Sequence, residues 1–323
     1  MRTSLKVTAF TAALAATFAA TLGLGQAIGT PVEAAGEHSI HNAGTAQETT
    51  GGAAAESMPP GLRVSESGYT LSNISAPGQA GETGKLSFSI LDRAGAPIKD
   101  FDELHEKRLH LIILRQDTSG FKHIHPELDD QGVWSMDWSW ADSGTYKVYA
   151  DFQPAGLGRN ITLARSVDVA GDFAPKPIPA FSDTDDSDGY QVKLNGSLQV
   201  GKSEALTATL ERDGVPVDNL DPYLGSYGHL VAIRTGDLAY LHVHPEGAPG
   251  DGKTTPGPDV TFFAEAPTAG TYRLFLDFKV DGTVHTAEFT VDVAADGQAA
   301  TTQPPAQDEA AEEEEGAGEH AEH

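Results

Sequence analysis

The sequence predicts an all-β chain made of two tandem antiparallel β-sandwich domains. Three observations carry that prediction. Short alternating or fully apolar runs are separated by Gly, Pro and Asp turns, with no helical period of any length. The stretch 62–170 recurs as 190–294. Each copy holds about seven strand candidates in about 105 residues, the density expected of a sandwich.

Taken in chain order, residues 1–34 read as a signal peptide. Arg2 and Lys6 precede an apolar run from Val7 to about Gly25, and Val32 and Ala34 are the small residues before a cut after Ala34. The mature protein is therefore expected to be secreted, extracellular or held in the cell envelope. Membrane contact is expected only if the leader stays uncut. Residues 35–61 are rich in Gly, Ala, Thr and Glu and are predicted to be disordered.

In the first repeat, strands are predicted over 69–74, 86–91, 109–115, 121–125, 133–138, 144–152 and 161–169. A linker follows at 171–189, where Pro175, Pro177 and Pro179 precede Asp183, Asp185, Asp186 and Asp188, a composition that predicts a solvated segment. In the second repeat the strands are placed at 190–194, 205–210, 229–234, 238–244, 260–264, 270–278 and 284–293. Residues 295–323 form an acidic tail through Glu312 to Glu315, predicted to be disordered. His38, His41, His320 and His323 stand near acids at the mature ends, a composition suited to weak cation collection.

The two copies align residue by residue. Asp92 to Ile98 matches Glu211 to Val217 at an offset of 119, and Gly144 to Phe152 matches Gly270 to Phe278 at an offset of 126. The second copy has thus gained seven residues, within the Gly/Pro-rich loop 247–258. Asp142-Ser143-Gly144-Thr145-Tyr146 resembles the tyrosine corner of immunoglobulin-like domains, and Ala269-Gly270-Thr271-Tyr272 repeats it. Val148 and Leu274 stand where antibody domains have cysteine, so the resemblance is to the sandwich architecture.

Composition narrows the chemistry. The 323-residue chain has no cysteine, so neither disulfides, thiolate metal sites nor cysteine nucleophiles are available. With 47 acidic and 21 basic residues its net charge is −26, which argues against nucleic acid and anionic lipid as partners. The sequence lacks a nucleophile elbow, phosphate loop, zinc-protease helix or dinucleotide motif, and no enzymatic activity is expected.

The strongest functional signal is a duplicated histidine set. His110 is followed after thirteen residues by His123-Ile124-His125-Pro126, and His229 after thirteen by His242-Val243-His244-Pro245. If Gly236-Asp237 closes a two-residue hairpin, Ile233 faces Tyr240, Val231 faces His242 and His229 faces His244. With Asp117-Thr118 at the turn, the first copy sets His110 opposite His125. Residues opposed across an antiparallel pair share a face, as do residues two apart, so each triplet lies on one face.

Three imidazoles without sulfur suit a divalent transition metal, copper or zinc, so one site per repeat is predicted at His110, His123, His125 and His229, His242, His244. Asp151 and Asp277 are repeated carboxylates that either complete such a site, orient a histidine, or simply end a strand. His105 and His285 fall outside the repeated set and read as surface or loop histidines. The competing expectation is a structural or interaction protein of the envelope, with an envelope protein as partner, in which the histidines brace a hairpin.

The pattern His-Leu-x-x-x-Arg, then His-x-His-Pro, Gly-Thr-Tyr and Asp-Phe resembles uncharacterised secreted envelope proteins of actinobacteria with tandem immunoglobulin-like repeats. More loosely it is similar to small periplasmic β-sandwich domains associated with copper handling. That resemblance covers both repeats and implies an envelope location. Copper-zinc superoxide dismutase, another β-sandwich metalloprotein, needs a longer histidine series and a disulfide that this chain lacks.

Overall fold

The computed structural model describes residues 58–241 and 243–294. The leader, most of the segment predicted disordered before the first repeat, the acidic tail, the four terminal histidines and His242 lie outside those residues. Every regular element described is a β-strand, and the chain folds as two immunoglobulin-like sandwiches.

In the first repeat one sheet runs in the order Ile161–Val169, Gly144–Pro154, Leu109–Arg115, Lys122–Ile124, all antiparallel, with Phe101–Asp102 added at the end of the Gly144 strand. Facing it are Thr83–Phe88, Trp134–Ser139 and Glu127–Leu128, continued by Ser65–Glu66, Tyr69–Leu71 and Ile90–Leu91. Between them lies a core of Leu86, Ile90, Leu111, Ile113, Trp134, Trp140, Val148 and their neighbours.

The second repeat repeats this plan. Tyr240–Leu241, Gly228–Arg234, Gly270–Val280 and Thr283–Val293 form one sheet. The other orders Thr184–Ser187, Tyr190–Asn195, Ser203–Arg212, Asp259–Glu265 and Val243–Pro245. Thr184–Ser187 falls in the stretch that composition assigned to the linker. It is a strand because its antiparallel ladder with Tyr190–Asn195 satisfies its backbone, whatever its acidic side chains do in water, and Ser187 Oγ ties it to the other sheet by donating to the Thr286 carbonyl. The tyrosine corners are both present. Tyr146 Oη donates to the Asp142 carbonyl at 2.9 Å and Tyr272 Oη to the Thr268 carbonyl at 2.7 Å.

A third apolar cluster joins the repeats. Ile112, Leu114, Phe121, Tyr149 and Ala164 of the first meet Val231, Ile233, Leu238, Tyr240 and Phe275 of the second. These residues alternate along their strands with the cores of their own sandwiches. The His110 and His229 sheets are therefore covered on both faces, which is why Leu109–Arg115 is buried at every position.

The junction has an approximate two-fold character. Phe121 stacks on Phe275 at 4.1 Å between ring centres, and their counterparts Tyr240 and Tyr149 meet at 5.9 Å. Residues just before the first repeat are laced into it. The Pro60 carbonyl accepts from the Tyr240 amide and the Gly61 amide donates to the Thr162 carbonyl. A Cβ on Gly61 would lie 2.8 Å from Tyr149 and from Tyr240, so only glycine passes between them.

Candidate metal centre

The hairpin of the first repeat has the register its spacing dictates. Leu111 pairs with Ile124 and Ile112 with His123, which sets His110 opposite His125. All three rings converge. His110 Nδ1 lies 3.0 Å from His123 Nε2 and 3.1 Å from His125 Nε2.

The second repeat starts the same way and then departs. Ala232 pairs with Leu241 and Ile233 with Tyr240, as expected, although the loop closes through Arg234 and Ala239 with Leu238 in the left-handed region (φ 58°) rather than as a two-residue turn. Beyond Leu241 the chain crosses to the opposite sheet. Val243 pairs with Ala264 and His244 with Phe263, while Val243 enters the core of the second sandwich. His244 is consequently exposed and does not oppose His229. The expected second triplet is therefore not assembled as His229 with His244, and His242 lies outside the described residues.

His229 instead joins the first triplet. Its ring stacks on His110 at 5.3 Å with planes 9° apart and lies 4.7 Å from His123, and ligand atoms of His110, His123 and His229 all fall within 4.8 Å of one another. His110 and His229 are only 2% and 9% exposed. Asp277, the strand partner of His229, reaches across the junction so that its Oδ2 accepts from His123 Nδ1 at 2.8 Å, and its Oδ1 accepts from Thr286 Oγ1. Asp277 thus orients a histidine of the other repeat. Asp151, opposite His110, accepts from Thr162 Oγ1 at 2.7 Å and from Asn160 Nδ2, and burial pushes its carboxyl up to about 6 against those hydrogen bonds.

His105 also belongs to this place. Its ring centre is 5.5 Å from that of His229 and 6.1 Å from that of His110. Sequence comparison between the repeats passed it over because its counterpart is Leu224. His285 bonds to Asp188 and packs on Tyr190 and Phe278, as a histidine outside the set would.

The tautomers follow from the partners. His110 Nε2 faces the Leu104 carbonyl at 3.0 Å, and a carbonyl only accepts, so the ring proton sits on Nε2 and Nδ1 offers a lone pair. His123 Nδ1 faces the Asp277 carboxylate, so a proton sits there, and its Nε2 either donates a second proton to His110 Nδ1 at 3.0 Å or, in the neutral ring, turns a lone pair toward it. Burial above all, then the electrostatic influence of His123 and other nearby basic groups, lowers His110 and His125 to about 3, and burial with the neighbouring histidines holds His229 well below the ordinary histidine value. At neutral pH these three rings are neutral. Metal–nitrogen bonds of about 2.0–2.1 Å at tetrahedral angles span an edge of roughly 3.3 Å, close to the 3.0 and 3.1 Å from His110 Nδ1 to His123 and His125, while the group gathered within 4.8 Å is His110, His123 and His229, without His125. The donor set fits a nitrogen-liganded divalent ion.

No curated protein matches the chain. Among solved structures it is similar to FdeC, an Escherichia coli adhesin, at 15% identity and a TM-score of 0.23, covering 72% of this chain and 65% of that one. It is similar to invasin, a bacterial integrin-binding protein, at 12% identity and a TM-score of 0.22, over 70% of this chain and 39% of that one. Domains 4 and 5 of the S-layer protein SbsC match at 12% identity and a TM-score of 0.21, over 72% of this chain and 100% of theirs. The family model described as Domain of unknown function (DUF8832) matches residues 63–171 and again residues 185–295. Those two matches span both sandwiches and well over half of the sequence, and the chain belongs to the DUF8832 family as a tandem pair of its domains.

Proposed function

We propose that this is a non-catalytic protein of the cell envelope or its surroundings whose two sandwiches are joined through one divalent transition-metal site, copper or zinc. His110, His123 and His125 supply donors from the first repeat and His229 from the second, with Asp277 holding His123. The observation that carries this reading is the gathering of ring nitrogens of His110, His123 and His229 within 4.8 Å of one another in a buried junction, an arrangement that suits a shared cation. The stoichiometry is one ion per chain rather than one per repeat. The leader-like segment 1–34 supports a place outside the cytoplasm.

Titration calorimetry of the whole chain with Cu(II) and with Zn(II) tests this. His110→Ala combined with His229→Ala should remove one equivalent. The terminal histidines, His242 and His244 are common to both proteins and cancel in the difference. Equal stoichiometry in the two would overturn the proposal.

A second reading has its own support. His123 of the first repeat on Asp277 of the second already ties the repeats together without an ion, so the histidines also serve as a brace between domains. If bracing is their whole role, His123→Ala lowers the melting temperature equally with and without added metal. If an ion sits at the junction, the difference between the two proteins widens when metal is present.

A further inference from the structure

His105 occupies a position that the repeat does not explain. It is partly buried, with its ring edge-on to both His110 and His229, yet it is outside the group whose ligand atoms cluster within 4.8 Å. It thus touches the buried imidazoles on one side and solvent on the other. Its backbone is a tight left-handed turn, with φ 48° at His105 and 64° at Glu106, closed by reciprocal bonds between Leu104 and Lys107. The same Leu104 carbonyl that fixes the His110 tautomer closes this turn, so the two rings are held by one short segment.

The second repeat shows that the turn itself needs no imidazole. Leu224 (φ 55°) and Gly225 (φ 75°) form it there, closed between Tyr223 and Ser226, and Leu224 is 2% exposed. The two turns adjoin, since a Cβ on Gly225 would stand 3.9 Å from His105 Cα. One copy of the turn therefore presents an apolar plug to the junction and the other presents a nitrogen donor.

An ion held by several buried imidazoles exchanges slowly, because each bond broken has to be replaced before the next is lost and water reaches such a site poorly. A further imidazole at the rim can take over a bond as another is broken. We propose that His105 is the exchange ligand of the junction, taking a divalent ion from solvent, passing it to His110 and His229, and receiving it again on release. This rests on the metal site proposed above and adds to it the route by which the ion comes and goes. It also gives a chemical reason for a departure from the repeat beside the cluster, histidine against leucine.

Two variants of the full chain test it. His105→Leu installs the residue that the other repeat already carries in this turn, and His105→Asn keeps a side chain that tolerates the left-handed region. Cu(II) uptake is followed by stopped-flow visible absorbance, release is followed after adding excess EDTA, and affinity is measured at equilibrium. Both variants should bind one ion at the junction with an affinity within about threefold of the parent, while uptake and release each slow by about tenfold or more. Unchanged rates in both variants would overturn the proposal. So would an affinity loss of about tenfold with uptake unaltered, which would make His105 a ligand of the bound state. A parent chain that takes up no more Cu(II) than the His110→Ala, His229→Ala protein removes the metal site itself, an outcome read from stoichiometry and separate from the kinetic one.

Discussion

Arg115 and Asp117 show how a single pair fixes the hairpin that presents the histidines. Arg115 Nε and Nη2 donate to the two carboxylate oxygens at 2.9 and 2.7 Å, Ser119 Oγ donates at 2.7 Å, and the Lys176 amide of the linker donates at 2.7 Å. Burial alone would raise Asp117, but the donors from Arg115, Lys176 and Ser119 outweigh it and hold the carboxyl at about 2. A carboxyl lowered in the folded state stabilises above its unfolded value near 4, and that stabilisation is lost as pH falls through about 2. Asp117→Asn should therefore cost on the order of 2 kcal/mol at neutral pH, with the gap to the parent closing between about pH 4 and 2. Urea melts across that range measure it, and a gap independent of pH would show that the ion pair is not its source. The same kind of reading applies to Asp277, whose sequence signal was only its repetition. Which histidine it serves depends on a contact between residues 154 positions apart.

Two strands with the same motif behave differently, and their burial shows why one is legible. In Leu109–Arg115, Ile113 faces the core of its own sandwich and Ile112 faces the other repeat, and both are fully buried. A free-standing sandwich would leave Ile112 on a wet face. Ile112→Ala and Ile113→Ala are thus expected to cost similar amounts, about 2–5 kcal/mol each, by chemical denaturation. A cost below about 0.5 kcal/mol for Ile112→Ala would mean that its face is open in solution. The continuous run Leu111-Ile112-Ile113-Leu114, matched by Leu230-Val231-Ala232-Ile233, already carried the signal of a sheet covered on both sides. The crossing after Leu241 carried no such mark. Both copies read His-x-His-Pro, and only the packing of Val243 against the second core sends that strand to the other sheet.

At the scale of the molecule, the junction joins the two repeats through a shared apolar cluster. Phe121 and Phe275 lie parallel at 4.1 Å on opposite sides of it. A double-mutant cycle with alanine at both positions should return a coupling of about 0.5–1.5 kcal/mol, and each single variant should split one unfolding transition toward two. Zero coupling with a single transition would show that the repeats are held together by something other than this face. Tyr149 adds a bond across the junction from its Oη to the Leu238 carbonyl at 2.7 Å, which satisfies a hydroxyl that would otherwise be costly to bury.

The sequence by itself determined the class of fold, the duplication, the tyrosine corners and the register that gathers His110, His123 and His125. Each of these depends on local spacing: period-two side chains, turn residues and a hairpin count. Tertiary structure decided where His229 and His244 lie. It moved His244 to the opposite sheet and brought His229, Asp277 and His105 to the first triplet. Those outcomes depend on which apolar faces find each other, a balance of burial over distant segments that spacing along one chain does not encode.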